Sequence, residues 1–367
     1  MAVSSSSLLL RRHLSTSSLP RLPVEPSTVR RLARLRRFAD IESLLEPLVK
    51  TSSSSSSSSS EPFLSSIISS YSSAGMLDHA IRHLSSLRSP SSLSLNSLLS
   101  PLLRSPHLSR RIPSLFSDLT ARKSHPISPN HVSYAILIKS LCLSPGGADS
   151  ALPILKKMEQ NNLPITAVVY TTILDSFYKE NRPTEAQKIW QEMTAKGITP
   201  DLPAYNVRVM YYAMHKTPEE ILNLIAEIES NNLKPDTITY NYLMSCYCRN
   251  GMFEEAMRVY KGLEEKGCVG NYATYRHLLA ALCKNGDFDK GLEVFNDGVK
   301  QGKVPDYGTV KLLVEGLVKE SKVRAAKRVV SGLKKKFPQE FIGNWKKLEK
   351  VVGLSADVEG SEQAAVA

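Results

Sequence analysis

The sequence is poor in the residues that most site chemistry needs. Of 367 residues, five are cysteine and two tryptophan, and aromatic residues make up 7%. An odd number of cysteines in so long a chain argues against a disulfide framework. Cys142, Cys248 and Cys283 instead recur at the twelfth position of a repeated unit, which marks them as small buried hydrophobes. Cys246 and Cys268 have no cysteine or histidine at zinc-ligand spacing, so no metal or other cofactor is expected. The eight histidines are scattered without partners. H-E-x-x-H, G-x-x-x-x-G-K-S/T, G-x-S-x-G and G-x-G-x-x-G are all missing, and an enzyme is not expected. No run of about 18 consecutive apolar residues exists, so no membrane span is expected.

What the chain does have is a period. Tyr134, Tyr170, Tyr205, Tyr240 and Tyr275 stand 36, 35, 35 and 35 residues apart. In the unit Thr237 to Asn271, Tyr240, Leu243, Met244 and Tyr247 fall at i, i+3, i+4 and i+7, an apolar helical stripe that ends at Asn250-Gly251. A second helix then presents Ala256, Met257, Tyr260 and Leu263, with Glu254 and Glu255 in its first turn and Gly267 as its stop. Such a hairpin cannot bury its apolar face alone, and stacking of copies solves that. Thr199-Pro200-Asp201, Lys234-Pro235-Asp236 and Val304-Pro305-Asp306 punctuate the units, proline ending each preceding helix.

Charge is distributed unevenly. The net +12 divides into +5 over residues 1–60, +8 over 307–350 and −3 over 351–367, which leaves only +2 for 61–306. Attraction for a polyanion therefore belongs to the ends. Residues 1–22 carry Arg11, Arg12 and Arg21, many serines and no acid, the composition of a mitochondrial transit peptide, with a plastid address less favoured. A basic amphipathic segment follows, setting Arg30, Arg31, Arg34, Arg36 and Arg37 against Val29, Leu32, Leu35 and Phe38. It reads as a terminal cap, and Ser52 to Ser60 as a low-complexity spacer, so 23–60 is cap and linker.

The Tyr-Asn pairs Tyr205-Asn206 and Tyr240-Asn241, the NG…EEA elbow and the KG…PD ending resemble the pentatricopeptide repeat proteins of plant organelles, in their plain P type. The resemblance covers roughly 61–341. It implies an all-α fold, a right-handed superhelical α-solenoid of about eight two-helix repeats: two degenerate ones over 61–130, then 131–166, 167–201, 202–236, 237–271, 272–306 and 307–341. Residues 342–367 would supply a capping helix, with Ile342, Trp345, Leu348 and Val351, and an acidic tail.

The family resemblance further implies recognition of single-stranded RNA, one repeat per base, by the fifth and last residues of each unit. Thr171 with Asp201 implies guanine, Asn206 with Asp236 uracil, and Asn241 with Asn271 cytosine; Asn96 with Asn130 matches the cytosine type. Val132, Val168 and Ile238 resemble the aliphatic residues that sandwich bases. Ala135 with Thr166, Arg276 with Asp306 and Lys311 with Phe341 fit no base. Arg276 and Lys311 are phosphate-contact candidates, as are Lys322, Arg324, Lys327 and Arg328 of the basic C-terminal helix. The competing explanations are that Asn and Asp merely cap helices and that the basic face is merely solvated. Three functions remain: a mitochondrial RNA-processing, stabilising or translation factor; a structural component of the mitochondrial ribosome touching rRNA and ribosomal proteins; or a protein-binding helical scaffold.

Overall fold

The computed structural model describes residues 19–54, 61–122, 126–337 and 344–353. The first 18 residues of the leader, most of the serine tract, Phe341, Ile342 and the acidic tail lie outside them. The chain divides into two compact units, one ending at Arg208 and one beginning at Val209.

Every element among the described residues is helical. In the first unit, α1 (Pro26–Arg34) and α2 (Phe38–Ser54) precede two hairpins' worth of first helices, α3 (Glu61–Ala74) with α4 (Leu77–Ser85), then α5 (Ser92–Leu99) with a 3-10 turn (Ser100–Arg104), α6 (Pro106–Ser109) and α7 (Ile112–Thr120). Prolines at 101, 106 and 113 break up this second pair, because each lacks the N–H that a continuing helix would bond. Regular pairs follow: α8 (His131–Cys142) with α9 (Gly147–Gln160), and α10 (Ala167–Lys179) with α11 (Pro183–Ala195). The unit boundary falls inside α12 (Leu202–His215). The second unit continues with α13 (Pro218–Ser230), α14 (Thr237–Arg249), α15 (Phe253–Lys261), α16 (Tyr272–Lys284), α17 (Phe288–Lys300), α18 (Tyr307–Lys319), α19 (Val323–Lys336) and α20 (Trp345–Val351).

Each unit is a stack of hairpins in two layers. First helices pack on first helices, α3 on α5, α5 on α8 and α8 on α10 in one unit, α14 on α16 and α16 on α18 in the other. Their buried stripes supply the core, and the phase-locked Tyr134, Tyr170, Tyr205, Tyr240 and Tyr275 are all buried. Each fully buried Leu or Ile contributes about 1.5–3 kcal/mol, which is why stacking is obligatory for hairpins this amphipathic. The helix α20 closes the second unit by covering α18 and α19, with Leu348 fully buried.

Caps set where each first helix begins. Asn130, Asp236 and Asn271 each accept from the backbone N–H two or three residues on and donate their own backbone N–H to the hydroxyl of Ser133, Thr239 or Thr274, a capping box in each case. The α12–α13 elbow uses the same device with Thr217 and Glu220. At the α14–α15 elbow, Gly251 takes φ 73°, where a side chain would be strained.

Three local readings change. Leu35 and Phe38 are 61% and 42% exposed, because the chain turns at Arg36 (φ 56°) and splits the basic segment into two helices instead of one amphipathic face. The helix α15 stops at Lys261, so Leu263 is buried from a turn and Gly267 lies well beyond the helix. Cys142 and Cys248 are only partly buried as residues, although burial still pushes their thiols up to about 12 and about 11.

Candidate nucleic-acid interface

The fifth and last residues of a repeat meet because the last residue caps the next first helix, which packs beside the helix carrying the fifth. In the second unit the Asn241 Nδ2 donates to Asn271 Oδ1 at 3.3 Å. Asn271 Oδ1 also accepts from the amides of Ala273 (2.9 Å) and Thr274 (3.1 Å), so capping and pairing share one oxygen. The Asn241 Oδ1 is buried with no hydrogen-bond partner. In the first unit Asn96 Nδ2 donates to Asn130 Oδ1 at 3.2 Å, but here Asn96 Oδ1 accepts from the Ser133 hydroxyl at 2.7 Å. Both ends of that amide are therefore engaged.

The other positions differ again. The Thr171 hydroxyl is committed to the Ala167 carbonyl at 2.8 Å, and Asp201 accepts from the Ala204 amide at 3.0 Å. Asn206 is buried in α12 in the first unit, while Asp236 caps α14 in the second. Val132, Val168 and Ile238, each beside a cap, are half-buried.

The cations sort into held and presented. Arg276 lies against His277 Nε2 at 2.6 Å with its own Nε buried and unpaired, and burial, then the guanidinium, holds His277 below the ordinary histidine range. Lys311 pairs with Glu315 at 3.5 Å, and Lys322 with Asp289 (2.6 Å) and Glu320 (3.0 Å). Lys334 pairs with Glu349 at 2.5 Å, and Lys336 donates to the Val299 carbonyl at 2.9 Å. Arg324, Lys327, Arg328 and Lys335 carry no ion pair among the described residues. Arg324, Arg328 and Lys335 lie exposed on the face of α19 opposite the buried Ala326, Val329, Val330 and Leu333, and Lys327 flanks it, half-buried.

Two features escaped the sequence reading. Between α14 and α16 runs a groove of about 490 Å³, with Asn241 and His277 toward one end, Arg249 and Lys284 toward the other, and Ser245 and Ala280 between. At the same repeat positions in α8 and α10 stand Lys139 and Asp175, an ion pair at 3.9 Å, with Lys179 on the same carboxylate at 2.7 Å. Burial lowers the Lys139 ammonium below the ordinary lysine range, against the pull of Asp175. Comparing the ninth residue of successive repeats would have exposed both. Among the described residues no group of three or more His, Cys, Asp or Glu could hold a metal, and no helix is long and apolar enough to cross a membrane.

Stacked helix pairs, each capped at one phase and presenting paired amides along the first-helix row, define a helical-repeat α-solenoid. The model of the PPR repeat family matches residues 165–208 and 235–283, and that of the PPR repeat matches 64–89 and 273–302. Over these segments the chain carries pentatricopeptide repeats. It is 41% identical over 198 residues to the small ribosomal subunit protein mL103 (rPPR7) of Arabidopsis thaliana, covering 53% of this chain and 46% of that one. It is 42% identical over 216 residues to a mitochondrial pentatricopeptide repeat-containing protein of the same plant, covering 56% and 49%. The chain thus spans about half the length of these curated relatives. The crystal structure of the pentatricopeptide repeat protein PPR10 in complex with an 18-nt psaJ RNA element aligns with TM-score 0.59 at 21% identity, over 85% of this chain and 45% of that one, and shows the shared fold.

Proposed function

We propose that this P-type repeat protein binds single-stranded RNA in mitochondria, reading bases along its first-helix row and acting by occupancy instead of catalysis. The observation that carries the reading is the open Oδ1 of buried Asn241 beside Asn271. Leaving a buried acceptor unpaired costs about 1–3 kcal/mol, and the N–H edge of an unstacked base is a partner that removes that cost. Relatives named as mitochondrial, and a fold neighbour solved with RNA, support the compartment and the ligand. The paired residues then favour guanine at Thr171/Asp201 in the first unit and cytosine at Asn241/Asn271 in the second. Thr171→Asn tests the code: selection from a randomised RNA pool should move from guanine toward uracil at one base, and an unmoved preference removes base reading from that repeat.

A second reading is a fixed place in the mitochondrial ribosome, beside rRNA and ribosomal proteins. It is favoured by the relative named as a small ribosomal subunit protein and by the unpaired cations of α19, which stand apart from the base-reading row. Co-sedimentation with a ribosomal subunit through a high-salt wash would select this reading, whereas release into the light fractions would select the free RNA-binding factor.

A further inference from the structure

First helices of neighbouring repeats run side by side, so their ninth residues meet across the space between them. In the second unit these residues are Ser245 and Ala280, both small, and the groove they line is open. In the first unit they are Lys139 and Asp175, 6% and 2% exposed, and their ion pair occupies the corresponding space.

We propose that the ninth residue of adjacent repeats gates the groove between them: the Ser245–Ala280 step admits a nucleotide of single-stranded RNA, and the Lys139–Asp175 step is shut. The inference rests on the RNA-binding reading above and says where along the row a nucleotide can sink in. The open groove has the chemistry of a nucleotide site. Met244, Cys248 and Leu278 give an apolar wall for a ring face. The Asn241 Oδ1 waits for an N–H donor, as an exocyclic amino group supplies. Lys284 stands exposed at the far end with no carboxylate on it, suited to a phosphate. A lipid chain would leave Asn241 unsatisfied, and an acidic peptide has no flat ring for the wall. In the shut step a ligand would have to separate two buried opposite charges, which leaves each uncompensated.

The test transplants the gate. Ser245→Lys with Ala280→Asp adds one charge of each sign, so nonspecific attraction to the polyanion is unchanged. Binding of fluorescent random-sequence single-stranded RNA should weaken by about tenfold, the effect of losing one good base contact. Peptide-resolved alkylation of Cys248 by N-ethylmaleimide should slow in the same variant, and Lys139→Ser with Asp175→Ala should speed labelling of Cys142. Unchanged labelling in both variants overturns the gate, whatever the RNA does. Slowed Cys248 labelling with undiminished RNA affinity overturns the groove as a nucleotide site while the RNA-binding reading stands. A wild-type protein that binds no RNA ends that reading and the nucleotide assignment together, with the labelling alone still judging the gate.

Discussion

Asn96 with Asn130 and Asn241 with Asn271 are the same two residues at the same two repeat positions, one pair in each unit. Both pairs share an amide-to-cap bond, 3.2 Å in the first and 3.3 Å in the second. The difference lies in a third residue. The Ser133 hydroxyl lies 2.7 Å from Asn96 Oδ1 as well as 3.1 Å from its cap Asn130 Oδ1, whereas the Thr274 hydroxyl lies on its cap Asn271 Oδ1 at 3.3 Å and leaves Asn241 Oδ1 without a bond. One asparagine is thereby a finished structural contact and the other a contact waiting for a partner. Two identities at fixed spacing therefore do not make a reading site; the hydroxyl three residues past the cap decides whether an acceptor stays free.

The contrast between the units extends to charge, and there the largest effect is expected. Asp175→Ala strands buried Lys139 and should destabilise by about 3–5 kcal/mol, read by urea unfolding, while Ser245→Ala at the matching place should change stability by less than about 0.5 kcal/mol. A small loss for Asp175→Ala would mean that the pair is not a closed plug. The loss should depend on pH with a definite sign. Burial lowers the folded pKa of Lys139 below its ordinary 10.5, so the unfolded chain holds the proton more firmly. Stability contributed by this group therefore rises with pH through the window below 10.5, and that window reaches to lower pH once the opposing Asp175 is gone.

Next in size, Asn96→Ala should cost about 1–3 kcal/mol, because it breaks two bonds, one of them the short bond to the buried Ser133 hydroxyl. Asn241→Ala should cost less than about 1 kcal/mol, since it removes one long bond together with an unsatisfied acceptor, yet it should weaken RNA binding by about tenfold. Thermal denaturation and anisotropy on the two variants form the check. Equal losses in both assays would erase the distinction drawn between the pairs.

Much of this was legible before the coordinates. The tyrosine period announces stacked hairpins because a helix pair has a fixed length and one buried stripe, and Pro-Asp endings announce caps because few residues satisfy a helix start. The exposure of Leu35 and Phe38 was not legible, since the break depends on Arg36 adopting a left-handed φ that its type rarely takes. The state of Asn241 was not legible either, because it turns on which way a neighbouring hydroxyl points. The Lys139–Asp175 plug joins residues 36 positions apart, and in sequence each is an ordinary surface charge on a helix. Only stacking buries them.

The smallest expected effect concerns the thiols at the twelfth repeat position. Burial raises Cys142 to about 12, with the Ser176 bond and Lys139 pulling the other way, and raises Cys248 to about 11. A thiolate is the reactive form, so at any pH below both values Cys248 should carry more of it. Alkylation followed from pH 8 upward should therefore label Cys248 ahead of Cys142, with both rates climbing about tenfold per pH unit. Cys248 lines the open Ser245–Ala280 groove, whereas Cys142 lies near the Lys139–Asp175 pair. If Cys142 reacts first in the native protein, the first unit's step opens more readily than the second's, and the contrast between the two grooves runs the other way.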